Sequence, residues 1–143
     1  MGNMNGKNKS IDKAAAEMLY ETAAKASENA YAPFSNFMVG AALMTEEGRV
    51  YTGVNVENSS FGAAICAERT AFVKAISEGE RSFWAIAVYA RDEESLPCGI
   101  CRQFMYEFAP DIYVITGVDK ENLNVRTLRE LLPSGFRLER SKK

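Results

Sequence analysis

Apolar residues recur along this chain with two periods. After Ser10, a candidate N-cap, Ala14, Ala15, Met18, Leu19, Ala23 and Ala26 fall at helical spacing and predict a helix to about Ala30. Pro33 and Ser35-Asn36 then mark a loop. Phe37 to Met44 is an apolar strand candidate. Glu46-Glu47-Gly48 is a turn and Val50 to Val56 a second strand, together a hairpin. Ala64 to Ser77 predicts a helix, with Gly79 as its stop. Phe83 to Tyr89 is a nearly unbroken apolar run, which suits a buried central strand. Cys98 to Phe108 follows as a helix with Pro97 at its start, then a short strand, Ile112 to Ile115. Val125 to Leu132 reads as a last helix, ended by Pro133. The order α-β-β-α-β-α-β-α implies an α/β fold whose sheet has parallel pairs and covered faces. Met18, Leu19, Phe72 and Val73 are apolar helix positions that could face either the core or a partner.

These elements occupy residues 10–136 as one domain, a common size for the 143-residue chain. Residues 1–9 read as a flexible polar N-terminus and 137–143 as a frayed charged tail. The chain is 47% hydrophobic, enough for a core without covalent staples. No apolar run reaches membrane-spanning length, and Met1 to Lys9 lacks the apolar run of a signal peptide, so the expected location is cytoplasmic with no membrane partner. The net charge is -2 and the pI about 5.3, without a basic stripe, which disfavours a nucleic acid polymer as partner.

Candidate chemistry rests on the three cysteines and the absence of histidine. An odd number of thiols cannot all pair within one chain, and clustered thiols in a reducing compartment point to metal or catalysis. The cysteines sit in Cys66-Ala67-Glu68 and Pro97-Cys98-Gly99-Ile100-Cys101, each where a strand or loop feeds a helix. Closed structural zinc sites take four protein ligands, whereas catalytic sites take three and keep a position for water. Three thiols and no histidine therefore lean toward a zinc that does chemistry. Helix N-termini favour thiolates. Glu68, in the first turn after Cys66, can reach the space beyond the helix end and act as a proton carrier beside the metal. Three thiolates leave a net charge of -1 on the zinc site; Arg69 and Arg102, one or both, are expected to donate to the sulfurs and offset it. A lone Pro-Cys-x-x-C also fits a redox dithiol, but that reading has no use for Cys66 or Glu68.

Cys-x-Glu followed by Pro-Cys-x-x-C at the next helix start is the signature of zinc nucleobase deaminases, which include a three-cysteine form. The chain resembles the cytidine deaminase family in its small, cysteine-ligated type, from about Tyr31 to Phe136. The resemblance runs through Phe37-Met38-Val39-Gly40-Ala41-Ala42-Leu43, Gly53-Val54-Asn55-Val56-Glu57-Asn58, Cys66-Ala67-Glu68-Arg69-Thr70-Ala71, Pro97 to Gln103 and Glu130-Leu131-Leu132-Pro133. It implies a three-layer α-β-α sandwich with a mixed sheet, one zinc per chain on Cys66, Cys98 and Cys101, and Glu68 as proton shuttle. It implies hydrolytic deamination of cytidine and 2′-deoxycytidine in pyrimidine salvage. Asn55 and Glu57 match positions that grip the ribose 3′-hydroxyl, Phe37 a ring that packs on the pyrimidine, and Ala67 a backbone N–H donor to the base. Backbone groups around Ser95 and Leu96 match acceptors for the exocyclic amine. The small type is a homotetramer with composite sites, in which Phe136 matches a C-terminal aromatic reaching a neighbour. The sequence departs from many relatives at Phe61, where a tyrosine is common, and at Leu96, where a serine or threonine is common. In isolation Phe37 would read as core, Asn55 and Glu57 as a solvated strand end, and Phe136 as a surface anchor of the tail. Three other functions fit the same motifs in part: deamination of a cytosine nucleoside antibiotic such as blasticidin S, editing of nucleic acid, and a closed, non-catalytic zinc module.

Overall fold

The computed structural model describes residues 10–140. Residues 1–9 and the last three of the tail lie outside the described residues. Helix α1 spans Lys13–Ala26, followed by strands β1 (Val39–Thr45) and β2 (Val50–Val54), helix α2 (Ala67–Ser77), strand β3 (Phe83–Ala90) and helix α3 (Gly99–Phe108). Strands β4 (Tyr113–Gly117) and β5 (Leu123–Thr127) and the short helix α4 (Leu128–Leu131) complete it.

The strands form one sheet in the order β2-β1-β3-β4-β5. Only β3 and β4 run parallel; the other pairs are antiparallel, so the sheet is mixed. Alternate strand residues feed two cores, as the period of two requires. Ala42, Met44, Ala85, Ala87 and Ile115 meet Ala16, Leu19, Tyr20 and Ala23 of α1. Ala41, Leu43, Ile86, Val88 and Val114 face Ala67, Ala71 and Phe72 of α2 and Met105 of α3. The result is the expected α-β-α sandwich. Leu19 and Phe72 are fully buried, whereas Met18 and Val73 are exposed, which separates the core positions of α1 and α2 from their outer ones.

Several bounds differ from the sequence reading, α1 ending at Ala26 rather than about Ala30 among them, and four starts have local reasons. Asp12, not Ser10, caps α1: its carboxylate accepts from the Ala15 amide at 2.8 Å. Strand β1 begins at Val39 because the Asn55 side chain takes up both the Phe37 carbonyl and the Val39 amide. Helix α2 begins at Ala67 because Ile65 exchanges backbone hydrogen bonds with Val56 and holds the chain extended. The sequence reading missed β5: Leu123-Asn124-Val125-Arg126-Thr127 alternates with period two and pairs with β4. The last helix starts only at Leu128, where Thr127 and Glu130 form a reciprocal capping box. The described part of the tail is tied down, with Arg137 and Arg140 both donating to the Glu107 carbonyl.

Candidate active site

Cys66 and Cys98 occupy the N-cap positions of α2 and α3, and neither side chain caps its own helix. A serine or aspartate there would turn its oxygen onto the backbone amides; the thiols remain available to another ligand. Cys101 lies in the first turn of α3 and is buried. The three Sγ atoms lie within 4.8 Å of one another. Sulfurs bonded to zinc at about 2.3 Å in a tetrahedron stand about 3.8 Å apart, so the cluster suits a single ion with little adjustment. Soft thiolates with no histidine or carboxylate among them favour zinc over hard cations.

Gly53 decides how this cluster is assembled. A Cβ at that position would lie 2.3 Å from the Ala71 nitrogen and 2.5 Å from the Ala67 carbonyl oxygen. Only glycine lets the first turns of α2, with Cys66 and Glu68, settle directly on β2.

The electrostatics separate the three acidic groups. The Cys66 thiol is held down to about 5, first by a hydrogen bond with Cys101 and then by the Arg69 guanidinium. Cys101 is raised, first by Cys66 and then by burial. Arg69 Nη2 lies 3.5 Å from Cys66 Sγ, and its Nε is buried without a hydrogen-bond partner. Glu68 is 4% exposed, and burial pushes its carboxyl up to about 7, with the Cys66 charge adding to the rise. A carboxyl poised near neutrality beside a thiolate cluster can both accept and return a proton.

Arg102 does something different from Arg69. Its Nε donates to the Pro97 carbonyl at 2.7 Å and its Nη1 to the Leu131 carbonyl at 2.9 Å. It ties the turn before Cys98 to the end of α4 and makes no hydrogen bond to a sulfur. Its neighbour Gln103 donates to the Phe136 carbonyl at 2.7 Å, while the Phe136 ring is exposed.

The second part of the site surrounds Val56. Val56 is bridged to Ile65 on one side and Tyr31 on the other, so residues 55–57 run directly beside the approach to Cys66. Asn55 Oδ1 accepts from the Val39 amide at 2.9 Å and Nδ2 donates to the Phe37 carbonyl at 2.7 Å. These partners fix the orientation of the amide and leave one N–H for a ligand. Glu57 Oε1 accepts from the Phe34 and Ser35 amides at 3.0 and 3.2 Å, and Oε2 accepts from the Ser35 hydroxyl. The Ser35 hydroxyl and these amides hold the Glu57 carboxyl below its usual range. Phe37 is 40% exposed, so it is not the core residue that its isolated reading would make it.

Ala67 lies in the first turn of α2, where helix geometry leaves N–H groups without intrahelical acceptors. Phe61 is the most exposed of these aromatics and, with Phe34, Glu57, Asn58 and Ala64, lines a cavity of about 240 Å³. A larger cavity of about 290 Å³ lies against Phe37, Tyr89 and Arg91, away from the thiols, so size alone does not mark the chemical site. The residues that the sequence reading missed are Ser35 and Gly53. Gly53 stood inside a quoted motif, but its close approach to α2 is tertiary; Ser35 registered only as a loop signal.

The chain is similar in sequence and in fold to known proteins. The family described as "Cytidine and deoxycytidylate deaminase zinc-binding region" matches residues 13–116. A cytidine deaminase of Halalkalibacterium halodurans is 47% identical over 125 residues, covering 86% of this chain and 95% of that protein. One from Sporosarcina psychrophila is 46% identical over 127 residues, covering 86% of this chain and 92% of its own length. The crystal structure of cytidine deaminase from Burkholderia pseudomallei superposes with a TM-score of 0.79 at 46% identity, over 83% of this chain and 97% of that one.

Proposed function

Because the chain belongs to the cytidine and deoxycytidylate deaminase family, we propose that it hydrolyses the C4 amine of cytidine and 2′-deoxycytidine. The products are uridine or 2′-deoxyuridine and ammonia. The observation that carries this reading is the convergence of three sulfurs within 4.8 Å beside a buried carboxyl pushed up to about 7. Cys66, Cys98 and Cys101 would hold the zinc, which supplies a water acidified enough to attack near neutral pH. Glu68 accepts the proton of the attacking water and delivers it to N3 of the base. It then carries a second proton from the new C4 hydroxyl to the departing amine. Arg69 offsets the thiolate charge at Cys66.

The nucleoside end follows from what the side chains have left to offer. Asn55 retains one N–H and Glu57 Oε2 retains acceptor capacity, a set that matches one hydroxyl able to accept and donate. Cytidine and 2′-deoxycytidine both carry such a hydroxyl at C3′. Phe37 presents a ring face to the pyrimidine, and the Ala67 amide and the backbone around Ser95 and Leu96 meet its polar edge. Exposed Phe61 and Phe136 support assembly into a homotetramer in which neighbours complete each site. Among the described residues no helix is long and apolar enough to cross a membrane. Three unpaired thiols support a reducing cytoplasmic setting and a role in pyrimidine salvage.

The test is ultraviolet absorbance of the zinc-loaded protein with cytidine, 2′-deoxycytidine, cytosine, CMP and blasticidin S. Selective turnover of the two nucleosides with ammonia release is expected. Preferential turnover of blasticidin S would move the function to antibiotic inactivation. Tight binding of single-stranded RNA or DNA at low salt would favour editing of nucleic acid.

A further inference from the structure

We propose that Ser35 is a positioning residue for the nucleoside, joining the sugar-binding carboxylate to the base-packing ring through one hydroxyl. The proposal rests on the nucleoside reading of Asn55, Glu57 and Phe37. A serine hydroxyl has one donor and two acceptor lone pairs. Ser35 gives its donor to Glu57 Oε2 and accepts from the Phe37 amide at 2.9 Å. The second contact is a local serine turn that fixes the backbone two residues on. Its own amide also binds Glu57 Oε1.

The arrangement uses the acceptors of Glu57 unevenly. Oε1 is occupied by two loop amides, which leaves Oε2 as the oxygen with capacity for a ligand, and the Ser35 hydroxyl sets how Oε2 is oriented. The same hydroxyl anchors the backbone from which the Phe37 ring projects. Asn55 holds that backbone from the other side, at the Phe37 carbonyl and the Val39 amide. Asn36, between Ser35 and Phe37, has a φ of 59° and its amide binds the Ala32 carbonyl at 2.9 Å, so the turn is closed by its own backbone as well. Ser35 is exposed and outside both cores, so removing its hydroxyl perturbs the loop and leaves the sandwich intact.

The experiment compares the zinc-loaded full chain with Ser35→Ala and Ser35→Thr, using 2′-deoxycytidine and its 3′-deoxy analogue. Zinc content and Tm are measured on each protein. For Ser35→Ala we expect KM for 2′-deoxycytidine to rise about tenfold, the loss of one hydrogen bond to a charged group. We expect kcat, zinc content and Tm to stay close to the parent's. Ser35→Thr, which keeps the hydroxyl, restores KM, and the Ser35→Ala effect shrinks on the 3′-deoxy substrate because that substrate lacks the hydroxyl Glu57 would hold. An unchanged KM in Ser35→Ala would overturn the proposal. So would a loss of activity that tracks lost zinc or a lowered Tm, or a failure of Ser35→Thr to restore KM. A parent protein that does not deaminate 2′-deoxycytidine would instead bring down the nucleoside reading, a failure visible before any variant is compared.

Discussion

The two halves of the site are built from different materials. The sulfur half stands on the starts of two helices, with Cys101 and Glu68 buried and the first turns of α2 pressed onto β2 through Gly53. The half proposed to hold the nucleoside is an exposed loop, residues 34–37, held by side-chain hydrogen bonds from Asn55, Glu57 and Ser35. Packing fixes the first and can shift the ionisation of its groups, because burial makes charge costly there. Hydrogen bonds fix the second, where the Ser35 hydroxyl and the loop amides lower the Glu57 carboxyl. Chemistry needs the first kind of setting, and admission and release of a small polar ligand needs the second.

This difference predicts what each substitution breaks. Cys101→Ala should have the largest effect, removing bound zinc and turnover together in metal analysis and absorbance assays. Gly53→Ala should come next, because the new methyl overlaps the backbone of α2. It should destabilise the fold by about 1–3 kcal/mol and weaken zinc retention, seen as a lower Tm and a lower metal content. A Gly53→Ala protein with parental Tm would show that α2 is not fixed by this contact.

Arg69→Ala should have a smaller effect, confined to pH dependence. Cys66 is depressed from 9.0 to about 5, by Cys101 first and Arg69 second. A depressed acid contributes stability that is present above its unfolded pKa and lost as pH falls through its folded pKa. Protons compete with zinc for the ligand thiols, so zinc retention should fail as pH falls. Removing Arg69 raises the Cys66 pKa and moves the midpoint for zinc loss to higher pH. Identical pH curves for parent and variant would assign the depression to the neighbouring thiols, Cys101 first and Cys98 after it. Arg102→Ala should leave that midpoint in place, because Arg102 binds carbonyls of Pro97 and Leu131.

The same contrast explains what the sequence could disclose. Cys66, Glu68, Cys98 and Cys101 were legible because short spacings at helix starts place them on the first turn. The apolar run Phe83 to Tyr89 was legible as the buried centre of the sheet, where β3 spans Phe83–Ala90. Hydrogen bonds that cross the fold have no such local mark. Asn55 reaches Phe37 across 18 positions, and Arg102 reaches Leu131 across 29. Nothing in Arg102 itself says whether its guanidinium meets a sulfur or a carbonyl. Strand β5 was not legible, because it runs straight into α4 and the apolar residues of the two merge into one helix-like pattern until the Thr127–Glu130 capping box is recognised.

The central claim is that Glu68 moves protons beside a zinc ion it does not bind. Measuring zinc stoichiometry and cytidine turnover in Glu68→Gln alongside the parent tests it most directly. One zinc per chain in both proteins, with turnover reduced by about 10²–10⁴ in the variant, is the predicted result. Loss of zinc from Glu68→Gln would make the carboxylate a fourth ligand of a closed site and would contradict the account.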